Sequence, residues 1–165
     1  MFREALLFSL KRHAAKMQAL LLDIPESHLA DSGQGGINHP AWIMGHVLLV
    51  EHEIIEVVLG DKAPWTIDET WRKVYDLGTH PESITQKYKP KSVCMPLLEQ
   101  SSAAICEIVA AMPEFLLMEE NPHPIFRTYS PRKIDSVMAV SAHRAYHSGQ
   151  IATWRKCMSM PHIGA

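Results

Sequence analysis

Cysteine is scarce in this chain. Cys94, Cys106 and Cys157 are odd in number, far apart and without a C-x-x-C pair. A disulfide framework and a cysteine-built zinc site are therefore excluded as organising principles, and a reducing cytoplasm is the expected home. Charge of one sign is also missing: sixteen basic residues against eighteen acidic ones leave a formal net charge of −2. That balance offers no electrostatic footprint for nucleic acid and no polybasic patch for an anionic membrane. Long apolar runs are absent, since the longest, 47–59, is interrupted by Glu51, His52, Glu53 and Glu56 and does not read as a membrane span. The N-terminus lacks the basic segment and unbroken apolar segment of a secretory leader. Neither an alternating strand pattern nor an internal repeat is visible. The glycine-rich run 32–36 lacks the Lys-Ser/Thr of a phosphate loop, and no Ser-His-Asp set can be placed.

What is present is a 165-residue chain, 47% hydrophobic, with room for one domain (1–165) and a sizeable core. Apolar residues recur at three- or four-residue intervals in four long segments. The first helix is expected over 2–22, on Phe2, Leu6, Leu10, Ala14, Met17 and Leu21, and ends at Asp23-Ile24-Pro25. The second is expected over 38–59, with Asn38 as N-cap and Pro40 in the first turn, stopping at Gly60-Asp61. The third runs from Ser92 or Pro96 to Met112, and the fourth over 131–158. A shorter helix is expected over 67–77, inside an aromatic connection holding Trp65, Trp71 and Tyr75. An all-α bundle of four helices is the natural packing solution.

The ten histidines carry the chemistry. At about 100° per residue, His143 and His147 lie about 40° apart and one turn apart in height, on the apolar face of the fourth helix. His46 falls among Trp42, Ile43 and Val50 on the second helix, a third inward imidazole. Three neutral imidazoles are a ligand set for a divalent first-row metal with an open position, and a metal satisfies nitrogens whose burial would otherwise be costly. Gly45 and Gly149, beside His46 and near His147, are expected to let neighbouring backbone approach. His39 and Glu53 share the inward side of the second helix two turns away and are expected at the rim or behind the ligands, not as ligands themselves. His13, His28, His52, His80, His123 and His162 read as surface, cap or loop residues. Imidazoles alone do not choose among zinc, nickel, copper and iron.

Two blocks carry a resemblance. Asn38-His39-Pro40-Ala41-Trp42-Ile43-Met44-Gly45-His46, and His143-Arg144-Ala145-Tyr146-His147-Ser148-Gly149-Gln150-Ile151 followed by Trp154-Arg155, resemble the second and last helices of the DinB-like superfamily. The resemblance implies a four-helix bundle, up-up-down-down, with a long crossover between its second and third helices, in a protein that is often a homodimer. It implies a divalent metal, nickel or zinc most often and iron as a further option, on His46, His143 and His147. Many members carry Arg where this chain has Ser148, a departure on the flank of the helix and outside the ligand set. Relatives include bacillithiol-type thiol S-transferases and a mycothiol-dependent maleylpyruvate isomerase. The expected function is therefore a metal-dependent enzyme that activates a low-molecular-weight thiol or water toward a small-molecule substrate. The alternatives are a non-catalytic metal-binding or stress-response bundle, and a scaffold whose site has lost its metal. Tyr146 and Gln150 are candidates for groups behind the ligands or facing substrate, Arg144 for holding an anionic substrate, and Glu53 for the rim. The aromatic segment 65–75 and the loop around Phe126 and Tyr129 are expected at the mouth.

Overall fold

The computed structural model describes residues 2–32 and 38–163, so the glycine-rich run expected as a loop lies largely outside the described residues. The structure is all-helical, with no strand among the described residues. Four long helices dominate: α1 (Phe2–Leu22), α2 (Pro40–Glu53), α4 (Lys91–Ala111) and α6 (Lys133–Cys157). Two short ones, α3 (Glu69–Tyr75) and α5 (Glu114–Leu117), lie in the connections.

α1 forms as its periodicity dictates, burying Leu6, Leu10, Ala14, Met17, Leu20 and Leu21, although Phe2 at its start is exposed. α2 is apolar on nearly every side and is buried on nearly every side, as such a helix must be. Its N-cap is His39 and not Asn38. Pro40 at the first helical position pushes the residue before it into extended backbone, and the His39 Nδ1 then accepts the Trp42 N–H at 3.2 Å. Past Glu53 the chain continues as a π-helical stretch, Ile54–Leu59, which Gly60 ends at φ +70°. α4 tolerates Pro96 inside it, and its buried residues include Cys94, Leu98, Ser101, Ile105 and Val109. By length and composition α4 could cross a membrane; here its apolar stripe packs against α1 and α2.

Side-chain bonds fix the helix directions. Arg3 at the start of α1 donates to the carbonyls of Ala110 and Met112 at the end of α4, and Lys91 at the start of α4 donates to Leu22 and Ile24, so these helices are antiparallel. Ser9 meets Ser141, and Arg155 donates to Leu20, so α1 and α6 are parallel. Trp42 lies beside His147, and His46 beside His143, so α2 and α6 are antiparallel. Taken in chain order the long helices therefore run up, down, down, up, which corrects the up-up-down-down order. Since α2 and α4 both run down, residues 60–90 return the chain from the end of the one to the start of the other.

Candidate metal centre

Three imidazoles meet where α2 and α6 pack together. His143 Nε2 lies 3.3 Å from His46 Nε2 and 3.0 Å from His147 Nε2. One ligand atom from each falls within a 4.8 Å cluster. His46 and His147 are buried, and His143 is half-buried.

The rings are held from behind. The His46 Nδ1–H donates to the Tyr75 carbonyl at 2.8 Å, and the His147 Nδ1–H donates to Gln150 Oε1 at 2.7 Å. Both bonds fix the tautomer and leave an Nε2 lone pair pointing at the cluster. His143 can donate one Nε2–H to one of those two lone pairs, never to both. Its Nδ1 is buried with no partner, so either tautomer leaves a polar atom unsatisfied. A cation among the three Nε2 atoms answers all the lone pairs together. Three nitrogens at about 2.0–2.1 Å from a tetrahedral ion stand about 3.3 Å apart, close to the two separations seen. The residues present fit a divalent metal with an open position.

The rings are also kept neutral, as ligation requires. Burial pushes the His143 imidazole down to about 4, helped by His46 and Arg144, and that of His147 down to about 3, helped by His143. Burial lowers His46 too, opposed by its bond to Tyr75. These folded values lie below the ordinary 6.5, so between them the unfolded chain binds more protons than the folded one. The histidine contribution to stability is then complete above about pH 6.5 and is lost as pH falls towards the folded values. Urea denaturation of metal-free protein should show a midpoint that drops steadily from pH 7 to pH 4.5, and a flat profile would contradict the buried, neutral assignment.

Gly45 makes the His46 support possible. A Cβ there would lie 2.2 Å from Tyr75 Cε1, so only glycine lets Tyr75 reach α2. Trp71 fixes the same approach by donating its Nε1–H to the Gly45 carbonyl at 3.0 Å. Gly45→Ala should cost about 1–3 kcal/mol of stability by overpacking and weaken metal retention as Tyr75 moves off His46. Thermal unfolding and metal analysis of the same sample check both. Gly149 has no such role, because nothing lies within 4 Å of a Cβ built there.

The remaining candidates separate. Gln150 holds His147 and donates its Nε2–H to the Tyr146 hydroxyl at 3.1 Å, while Tyr146 itself is exposed. Glu53 lines the cavity beside the cluster and is paired with Arg72 at 2.5 Å. His39 caps α2 and donates its Nε2–H to Glu82, so it is no rim residue. Arg144 is not free to hold substrate. It is 1% exposed and grips the fully buried Glu51 with two bonds of 2.6 and 2.7 Å. Ser101 donates to the same carboxylate, so the pair ties α2, α4 and α6 together. In the sequence Glu51 reads only as an interruption in an apolar run. The available signal was that a helix apolar on all sides must pair any charge it carries.

A cavity of about 350 Å³ opens directly onto His46 and His143. Phe126 and Tyr129 line it as expected, together with His123, which reads from sequence as a loop residue. Trp65, Trp71 and Tyr75 do not form its mouth, because all three are buried in the core.

Against known proteins, the DinB family model matches residues 1–158. No curated protein matches the chain. Because the family match runs through all six helices and takes in all three clustered histidines, the chain belongs to the DinB family.

Proposed function

We propose that this chain is a divalent-metal-dependent enzyme that holds its ion on His46, His143 and His147 and activates a thiol or water for transfer to, or hydrolysis of, a small molecule. The observation that carries the reading is the convergence of three imidazoles, two of which, His46 and His143, open onto a cavity large enough for a small ligand. An ion bound there supplies Lewis acidity, which lowers the pKa of a thiol or water in the open position.

The chain's own residues do the positioning. Tyr75 and Gln150 orient two of the rings, and the Glu51–Arg144 pair holds α6 in register beside α2. Apolar side chains of Leu49, Val50, Ile54 and Val140 flank the open side. Nickel or zinc is the proposed metal, with iron the next choice, and a low-molecular-weight thiol is the proposed co-substrate. The four long helices are read as one bundle domain over 1–165, with residues 60–90 as its crossover. The protein is further proposed to be a cytoplasmic homodimer with no nucleic-acid or membrane partner. The competing reading is a non-catalytic metal-binding or stress-response protein whose ion staples α2 to α6. The cavity at His46 and His143 favours the enzyme, since a staple needs no access.

The test uses protein loaded with nickel or zinc, beside metal-free protein and the His147→Ala variant. Each is assayed with thiols plus electrophilic acceptors, and with small esters and amides. Turnover that appears on loading and is missing in His147→Ala is the expected result. Loaded protein that is inert toward every class, and whose ion does not exchange with added imidazole, would establish the staple instead.

A further inference from the structure

We propose that the cavity above the histidines selects ligands with an uncharged aromatic or bulky apolar body and at most one anionic donor, directed at the cluster, and rejects ligands carrying further carboxylates or phosphates. The donor end of this inference rests on the metal reading; the body-selecting part stands without it.

The walls are apolar. Leu49, Val50 and Ile54 come from α2 and its π-helical extension, Val140 from α6, and Phe126 and Tyr129 from the segment before α6. At about 350 Å³ the space lies near the small end of the range for small-molecule sites, about 300–1,000 Å³. That suits a single ring system on a short arm. The aromatic wall is ordered in advance. Asn121, fully buried, donates its Nδ2 hydrogens to the Ser130 carbonyl at 2.9 Å and Ser136 Oγ at 2.8 Å, while its Oδ1 accepts the His123 N–H at 2.9 Å. The His123 ring stacks on Phe126 with centroids 4.0 Å apart. A wall fixed in this way costs little entropy when a flat ligand settles against it.

Charge settles the rest. Glu53 and Asp76 line the cavity, and among the described residues no lysine or arginine does. Among the described lining residues Asp76 has no lysine or arginine beside it, so the polar edge of the cavity is acidic. Arg72 is occupied by Glu53, and Arg144 is committed to Glu51. A second anionic group too far from the first to reach the histidine cluster would be stripped of water against apolar walls with no lysine or arginine to receive it.

The test has two arms on the full-length protein. In cobalt(II)-loaded protein, 4-fluorobenzyl mercaptan and mercaptosuccinate are titrated separately and followed by thiolate-to-cobalt absorption. In metal-free protein, 4-fluorobenzyl alcohol and 4-fluorophthalate are followed by their fluorine resonances. The aromatic thiol should bind at least about tenfold more tightly than mercaptosuccinate, equivalent to about 1.4 kcal/mol. Phe126→Ala should narrow that gap with cobalt content unchanged, and Asp76→Asn should raise mercaptosuccinate affinity. The fluorinated alcohol should bind metal-free protein where the phthalate does not. Equal or tighter binding of mercaptosuccinate, or of the phthalate, would overturn the inference while leaving the metal reading intact. Protein that takes up no cobalt but still prefers the fluorinated alcohol would support the inference and remove the metal.

Discussion

Arg144→Ala is expected to lower stability by about 3–5 kcal/mol, because it leaves the Glu51 carboxylate buried with only Ser101 as a side-chain partner. Against a total of about 5–15 kcal/mol for an ordinary domain, that loss is large. The change touches neither the cavity nor the histidine nitrogens directly, so sequence logic that places Arg144 on a substrate would predict a binding defect in a stable protein. The buried ion pair predicts the reverse, an unfolding defect that comes first. Glu51→Gln should also be strongly destabilising, since it leaves the equally buried Arg144 guanidinium without a charge partner, although the amide oxygen can still accept a hydrogen bond from it. The double variant Glu51→Leu/Arg144→Met should recover much of the lost stability, because most of the cost lies in the orphaned charge and not in the loss of attraction. Urea denaturation of the three variants checks the set, and a stable Arg144→Ala would contradict the pairing.

Loss of tight metal binding in His143→Ala and His147→Ala is the second large effect. Each removes one of three nitrogens and leaves two, so the ion loses both affinity and the geometry of its open position. His46→Ala should behave nearly the same. Gln150→Ala should be intermediate, about 10–100-fold weaker, because it removes only the acceptor that orients His147. His52→Ala and His123→Ala should keep the metal. His52 faces Trp65 and Glu56, and His123 stacks on Phe126, with their nitrogens outside the three-residue cluster. Retention of metal by all of the ligand variants would contradict the assignment, and loss in His52→Ala would point to a different site.

Helical periodicity made much of this legible. The α1 stripe from Leu6 to Leu21 and the inward placement of His46, His143 and His147 follow from 3.6 residues per turn and need no tertiary information. Three kinds of feature did not follow. Helix direction is invisible to a helical wheel, so the up-up-down-down order came from resemblance alone, and the Arg3, Arg155 and Trp42 contacts overturn it. Groups supplied by backbone carry no sequence signature, which hides the Tyr75 carbonyl behind His46. The third kind is a charged residue on a helix buried all round. Glu51 reads as an interruption and Arg144 as a holder of anionic substrate, because neither helix by itself reveals that a partner waits on the other. Gly45 sits between these cases: its residue type announced a close approach, but only the fold shows that Tyr75 makes it.

The most direct measurement is metal content per chain, by mass spectrometry, on untagged protein purified without a nickel column, beside His143→Ala. The column matters because ten histidines can scavenge nickel. About one divalent ion per chain, lost in the variant, is the predicted result. No ion in either protein after reconstitution, or equal content in both, would contradict a metal centre on His46, His143 and His147.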